Sequence, residues 1–171
     1  KSTFAKILAG VLKADDRFKT PEGIGYMPQK NYAFRMSLKK NLLLNGTDEG
    51  RADELIEALQ LSPLAHKRAD KLSGGETARM ALARLMMKQY GLVLLDEPTA
   101  SLDPAAASEF YRLIDDLHRE GLTVIMVTHD IPPAMEYATH ILHLGTKSHW
   151  FGTGDAYGKA GSGFTGGEHH A

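Results

Sequence analysis

Two nearly continuous apolar runs constrain the fold of this chain more than any other feature. One covers residues 92–95 and is followed by Asp96 and Glu97, and the other covers residues 122–127. Because successive side chains of a strand point to opposite faces, each run would present apolar side chains on both faces. A helical pattern over residues 105–119 lies between them. This order predicts an α/β fold, in which helices cover both faces of a mostly parallel sheet.

Weaker patterns place two elements before these strands. Residues 2–13 have apolar residues at helical spacing and predict an amphipathic helix, which Asp15 and Asp16 would end. Residues 24–27 predict a short strand that stops before Pro28.

The middle of the chain has helical spacing. Ser37 is expected to cap one helix, and Asp48 is expected to begin a second. A third helix is predicted from about residue 75 to residue 89. After the second apolar run, residues 132–137 predict a short helix and residues 141–144 a strand.

Composition excludes several classes of protein. The chain has no cysteine, which excludes a disulfide framework and a thiolate metal site. Its formal net charge of -1 argues against nucleic-acid binding driven by bulk basicity. No apolar run approaches the roughly 18 residues that cross a bilayer. A role at a membrane would therefore depend on a partner.

Asp96 and Glu97 are candidate functional residues because of where a strand would place them. Ligands of open α/β folds bind at the carboxyl edge of the sheet. Asp96 could hold Mg²⁺ there, and Glu97 could polarise an attacking water as a general base. The dipeptide alone is equally consistent with a strand that runs into an acidic loop.

Six motifs place this pair in a wider pattern. In chain order they are Lys1-Ser2-Thr3, Gln29 after Tyr26-Met27-Pro28, Leu72-Ser73-Gly74-Gly75-Glu76, Leu92 to Thr99, Ser101-Leu102-Asp103, and His129. They resemble, respectively, the end of Walker A, the Q-loop, the signature motif, Walker B with the catalytic glutamate, the D-loop and the switch histidine of ABC ATPases. On these motifs the chain is identified as a member of the ABC ATPase family, as the ATP-binding subunit of an ABC transporter.

The resemblance implies that the chain binds ATP and Mg²⁺. The residues that it implies for contact with ATP or its phosphates are Lys1, Ser2, Thr3, Gln29, Ser73, Gly74, Gly75, Glu76 and Asp103. Ser2, Gln29 and Asp96 would hold Mg²⁺. Glu97 would be the catalytic base, and His129 would bond the γ-phosphate and orient the attacking water.

Physical reasons support these roles. Lys1 would reach the β- and γ-phosphates, and helix starts near Ser2 and Ser73 would direct N–H groups at anions. Gly74 and Gly75 would let the backbone approach a phosphate closely. The resemblance further implies that two copies pack head to tail, so that Walker A of one copy and the signature motif of the other close on the same ATP.

The family pattern also divides the chain. Residues 1–30 and 89–151 would form a P-loop NTPase-like core, and residues 31–88 an inserted helical subdomain with the signature motif. Seven glycines between residues 152 and 167 predict a flexible tail over residues 152–171.

The chain departs from the family pattern at its start. Of the phosphate loop only Lys1-Ser2-Thr3 is present, without the glycines before the lysine, the strand that precedes them or the other N-terminal strands. We expect that the sequence begins inside Walker A, and that a chain without the glycine cradle is inactive by itself.

The resemblance implies an ABC-type ATPase, which hydrolyses ATP to ADP and phosphate and couples this to transport. The compact size and single ATPase domain suit an importer of a small solute. Residues 29–37 are similar to the ATPases of tungstate or molybdate importers, and importers of metal ions or amino acids fit almost as well. The motifs are also consistent with a non-transport ABC ATPase that acts on ribosomes or DNA. A catalytically inactive subunit is a third candidate, which the intact Glu97 and His129 argue against.

The implied partners follow from this class. They are a second ATPase subunit, transmembrane permease subunits and a separate solute-binding protein, without direct contact to nucleic acid. Residues 32–37 would lie where a permease subunit docks. The protein would be located peripherally at the cytoplasmic face of the membrane.

Overall fold

The structure is a computed structural model that describes residues 1–13, 23–145 and 149–160. The chain forms two compact units, residues 1–127 and residues 128–171. The predicted helix end at Asp15 and Asp16 lies outside the described residues.

A three-stranded parallel sheet lies at the centre of the first unit. Its strands are β1 (Ile24–Met27), β2 (Leu92–Asp96) and β3 (Thr123–Val127), with β2 between the other two. The three middle residues of β2 are fully buried, as its unbroken apolar pattern predicts. The predicted α/β fold with a parallel sheet is confirmed.

Helices pack against this sheet, and their starts follow local sequence signals. The helices of the first unit are α1 (Ser2–Leu8), α2 (Leu38–Leu42), α3 (Glu49–Ala58), α4 (Gly74–Met86) and α5 (Pro104–Arg119), with short 3₁₀ turns at Leu43–Asn45, Ser62–Leu64 and Ala69–Lys71. Ser37 caps α2 by accepting a hydrogen bond from the N–H of Lys40. Asp48 caps α3 in the same way from the N–H of Arg51. Both predicted starts are confirmed.

Helix α4 forms the middle of the hydrophobic core. It packs against α2, α3, α5 and β1, and its residues Met80 and Leu82 are fully buried. Its N-terminus consequently lies beside the start of α5, whereas β2 ends at the carboxyl edge of the sheet. These two places hold most of the residues that the sequence singles out.

The first helix is shorter than predicted. It ends at Leu8 because Gly10 adopts a left-handed conformation, with φ of 69°. The N–H groups of Gly10 and Val11 then bond the carbonyls of Ile7 and Lys6, which is the Schellman arrangement that ends a helix. The prediction of a helix over residues 2–13 is wrong after Leu8, because apolar spacing outweighed the glycine signal.

The second unit contains α6 (Ile131–Tyr137), the antiparallel strands β4 (His140–Leu144) and β5 (His149–Thr153), and α7 (Gly154–Ala160). A flexible tail was expected from residue 152, yet β5 and α7 extend to residue 160. The side chain of Tyr157 is 4% exposed; its hydroxyl lies 2.8 Å from Nδ1 of His143, and its ring is 5.1 Å from that of Trp150. This aromatic packing stabilises a segment whose glycines alone indicated disorder, and the rest of the expected tail lies outside the described residues.

Candidate functional site

The acidic pair lies where β2 ends, as predicted. The side chain of Asp96 is only 2% exposed. Its oxygen Oδ1 accepts a hydrogen bond of 3.0 Å from the hydroxyl of Ser2, and its oxygen Oδ2 accepts one of 3.2 Å from the hydroxyl of Tyr26. A buried carboxylate thus has one hydroxyl donor on each oxygen.

The register of the sheet explains why Tyr26 reaches this carboxylate. Tyr26 of β1 is paired with Leu94 of β2, so Asp96, two residues further along β2, lies on the same face of the sheet. An aromatic side chain is long enough to span such a diagonal pair. Burial, followed by the charge of Asp96 and the hydrogen bond to it, raises the pKa of Tyr26 to about 12. The Tyr26 hydroxyl therefore keeps its proton and donates the hydrogen bond to Asp96.

Glu97 follows in an unusual backbone conformation. Its φ is 47°, in the left-handed region that non-glycine residues rarely occupy. Its N–H bonds the carbonyl of Val127 at 2.8 Å, which holds this turn to β3. Its side-chain oxygen Oε2 accepts a hydrogen bond of 2.8 Å from Nε2 of Gln29.

The structure therefore gathers several predicted site residues at one edge of the sheet. We call Ser2, Tyr26, Gln29, Asp96 and Glu97 the strand-end cluster. Lys1 and Thr3 flank Ser2 at the start of α1, where both are exposed. Tyr26 is the member whose role sequence reasoning missed; its position, one residue before the end of a predicted strand, was the available signal.

The other predicted phosphate ligands lie elsewhere, where the N-terminus of α4 meets the start of α5. We call Ser73, Gly74, Gly75, Glu76 and Asp103 the helix-junction cluster. The hydroxyl of Ser73 accepts from the N–H of Glu76 at 3.2 Å, and the carboxylate of Glu76 accepts from the N–H of Ser73 at 2.8 Å. This reciprocal pair is a capping box.

Charge reinforces that cap. The ammonium group of Lys67 lies 3.4 Å from Oε2 of Glu76. The hydrogen bond from the Ser73 N–H, followed by the bond and charge of Lys67, lowers the pKa of Glu76 below its ordinary value. Asp103 has a similar local function, because it caps α5 by accepting from the N–H groups of Ala105 and Ala106.

The two glycines of this cluster are in close contact with α5 and the turn before it. A Cβ atom on Gly75 would lie 3.0 Å from the Cβ of Ala106, and one on Gly74 would lie 3.4 Å from a methyl group of Leu102. Packing between helices is thus a reason for glycine here, beside the expected approach to a phosphate.

His129 belongs to the second unit, between β3 and α6. The adjacent residue Asp130 donates its N–H to the hydroxyl of Thr128 at 2.9 Å, which forms a tight turn around the histidine. Its predicted part in catalysis stays a prediction.

A buried asparagine fixes the backbone of the predicted docking segment, residues 32–37, and two aromatic side chains of this segment are exposed. Tyr32 is 74% exposed and Phe34 is 46% exposed. Asn41, which is fully buried, bonds both the N–H and the carbonyl of Phe34. The guanidinium carbon of Arg84 lies 5.8 Å from the Phe34 ring. Sequence reasoning missed Asn41, which looks like an ordinary polar position within α2.

Comparisons with known proteins found matching family models and relatives. The family model described as ABC transporter matches residues 1–100, and a second model, described as an AAA domain, matches residues 76–134. A zinc uptake system ATP-binding protein of Listeria innocua is 29% identical, over 92% of this chain and 72% of its own length. A lipoprotein-releasing system ATP-binding protein of Neorickettsia sennetsu is 36% identical, over 73% of this chain and 60% of its own length.

A solved structure supports the same fold. The structure of a metal-chelate type ABC transporter in an inward-facing conformation is similar to this chain, with a TM-score of 0.82 and 27% identity. The similarity covers 90% of this chain and 68% of that one. Among the helices that the structure describes, none is long and apolar enough to cross a membrane.

Proposed function

The chain belongs to the ABC transporter family, as an ATP-binding domain of the ABC ATPase type, and we propose that its ATP hydrolysis drives the import of a small solute. The strand-end cluster is the observation that carries the ATP-hydrolysis part of this proposal, and the similarity to a zinc uptake protein supports import. It joins a helix-start hydroxyl, two acidic residues and an amide at the sheet edge where α/β folds bind ligands.

The chemistry of this cluster fits Mg²⁺. The carboxylate of Asp96 and the hydroxyl of Ser2 offer the hard oxygen atoms that this ion prefers. Because the Ser2 hydroxyl donates its hydrogen bond to Asp96, the lone pairs of its oxygen stay available to a cation. The amide oxygen of Gln29 is the third proposed ligand. When bound, Mg²⁺ would neutralise charge that develops on the phosphates.

Glu97 is the proposed general base. Its carboxylate adjoins the Mg²⁺ site and can take a proton from the water that attacks the γ-phosphate. The bond from Gln29 orients that carboxylate. Lys1, Ser2 and Thr3 are proposed phosphate contacts, and His129 is proposed to orient the attacking water.

The helix-junction cluster is proposed to act on an ATP bound by a second copy. Its members lie at the α4–α5 contact, whereas Ser2 and Asp96 lie at the end of β2. Two copies packed head to tail would bring the helix-junction cluster of each copy to the nucleotide bound by the other copy. In this arrangement Ser73, Gly74, Gly75, Glu76 and Asp103 contact phosphates across the dimer.

The remaining assignments concern transport. We propose residues 31–88 as the helical subdomain, with exposed Tyr32 and Phe34 as the contact with a permease subunit. A separate solute-binding protein and a peripheral place at the cytoplasmic membrane face complete the proposal. The zinc uptake relative favours a metal ion as the solute, while an oxyanion of the tungstate or molybdate kind stays a prediction.

Calorimetry with Mg-ATP tests the proposal. The 171-residue chain is compared with the full-length protein, including any residues that precede Lys1. Binding and turnover by the full-length protein, with weak or no binding by the 171-residue chain, are expected if a glycine cradle before Lys1 is needed. A full-length protein that neither binds nor hydrolyses ATP contradicts the proposal. Equal binding by both chains contradicts only the need for the cradle.

A further inference from the structure

Tyr26 and Asp96 both lie in the segments that carry the six motifs, but the motifs assign no role to Tyr26 and imply no contact between the two residues. Tyr26 donates to Oδ2, the carboxylate oxygen that Ser2 does not contact. The two donors come from different parts of the chain, one from the start of α1 and one from β1. A single carboxylate is thus held from both sides.

Two hydrogen bonds, one on each oxygen, are needed to fix the plane of the Asp96 carboxylate. Rotation about the last side-chain bond of aspartate is soft, so one hydrogen bond leaves the plane poorly defined. A second bond on the other oxygen fixes it. Because Asp96 is 2% exposed, water cannot easily replace the phenol, and its loss would leave a buried oxygen without that donor.

The same segment also holds the neighbouring acidic residue. Gln29, three residues after Tyr26, donates to Glu97 at 2.8 Å. The end of β1 and the turn after it therefore restrain the two consecutive carboxylates where β2 ends, one through a phenol and one through an amide. The backbone of Tyr26 is fixed in place because Tyr26 and Leu94 are paired within the sheet.

We propose that Tyr26 is a positioning residue for the metal site, which holds the Asp96 carboxylate in the orientation that binds the divalent cation. This inference rests on the proposed Mg²⁺ site. Tyr26 itself would not touch the cation or the phosphates. Groups that orient a metal ligand in this way typically contribute about 10–100-fold to metal affinity.

Tyr26→Phe removes the hydroxyl and keeps the ring. Tyr90→Phe is the matched control, because the Tyr90 ring packs against Gly25, whose side of β1 is opposite to that of Tyr26. Binding of Mn²⁺ to the full-length protein in the presence of ADP is followed by electron paramagnetic resonance. Binding of ADP in EDTA is measured by calorimetry, and the melting temperature is recorded.

We expect Tyr26→Phe to weaken Mn²⁺ binding about tenfold, with ADP binding in EDTA unchanged and Tyr90→Phe like the wild type. In turnover assays the Mg²⁺ concentration at half-maximal rate should rise by a similar factor, with kcat largely restored at saturating Mg²⁺. An unchanged Mn²⁺ affinity overturns the proposal. Equal loss of Mn²⁺ and metal-free ADP binding also overturns it, since that pattern indicates general disruption. A wild-type protein that binds no ADP refutes instead the nucleotide site itself.

Discussion

The strand-end cluster and the helix-junction cluster use their polar groups differently. In the first, Ser2, Gln29 and Tyr26 come from other elements and converge on two acidic side chains. In the second, Ser73 and Glu76 bond each other within one helical turn. The first arrangement orients two carboxylates through donors from other elements, whereas the second completes a helix start.

This difference separates the expected effects of substitution. A change at Glu97 would remove the proposed general base from a side chain that is not part of the hydrophobic core. A change at Ser73 or Gly75 alters the cap or the packing of α4, the central helix of the core. Loss of activity without loss of stability is thus expected in one cluster, and loss of both in the other.

Glu97→Gln gives the largest expected effect. The amide keeps the shape and can still accept from Gln29, but it cannot take a proton. Turnover by the full-length protein should fall about 10²–10⁴-fold, with ATP-bound dimers retained and the unfolding free energy changed by less than about 0.5 kcal/mol. Phosphate release, gel filtration with ATP and urea unfolding measure these quantities.

Glu57→Gln serves as the control for that substitution, because Glu57 is an exposed glutamate of α3. Turnover by Glu97→Gln close to the wild-type rate would exclude Glu97 as the base. A large loss of stability would remove the contrast between the two clusters.

Gly75→Ala tests the packing of the helix-junction cluster. The added methyl group would lie 3.0 Å from the Cβ of Ala106. Overpacking costs about 1–3 kcal/mol, and the better helix propensity of alanine returns up to about 1 kcal/mol. With the full gain returned, a net loss of about 0–2 kcal/mol is expected in urea unfolding.

Two variants sharpen this measurement. Gly91→Ala should be nearly neutral, because no atom lies within 4 Å of its added Cβ. The double variant Gly75→Ala/Ala106→Gly should lose less unfolding free energy than the sum of the losses in the two single variants. Strict additivity would show that the contact between these residues is not what disfavours alanine.

Ser73→Ala removes the side-chain acceptor that caps α4. The expected loss of stability is about 1 kcal/mol, accompanied by reduced turnover if the cluster also contacts a phosphate. Urea unfolding and phosphate release are measured together. Ser108→Ala, at an exposed position within α5, should change neither. A loss of turnover with full stability would show that Ser73 matters for activity and not for stability, which is the behaviour expected of the strand-end cluster.

Glu76→Gln gives the smallest expected effect, and it depends on pH. The folded-state pKa of Glu76 is lowered, so its carboxylate stabilises the fold above the ordinary pKa of about 4.5. That contribution is lost as pH falls through the lower folded-state pKa. The wild type should therefore be slightly more stable than the variant at pH 7, and the difference should vanish in acid. Unfolding curves between pH 7 and pH 3 test this sign.

The sequence was informative where local patterns decide the structure. Apolar runs predicted β2 and β3, and polar residues before helical spacing predicted the caps at Ser37 and Asp48. It was less informative where distant residues meet. The Tyr26–Asp96 bond joins residues 70 positions apart, and only the register of β1 on β2 brings them together.

Two errors had a similar physical origin. In the first helix, one left-handed glycine ended an apolar pattern that continued to residue 12. Over residues 152–160, the prediction of disorder rested on glycine content and disregarded the aromatic residues. Tyr157 of α7 packs against Trp150 and bonds His143 of β4, a contact that local sequence does not reveal. In both regions a few side-chain or backbone contacts decided the outcome against the average composition.

The left-handed backbone at residue 97 has an evolutionary consequence. Asparagine and glycine occupy that conformation at lower cost than glutamate, so the proposed catalytic role of Glu97 would require selection against them at this position. A lineage freed from that selection would drift to asparagine or glycine here while Asp96 and the sheet persist. This one position therefore offers a marker in sequence comparisons for descendants that have kept the fold and abandoned hydrolysis.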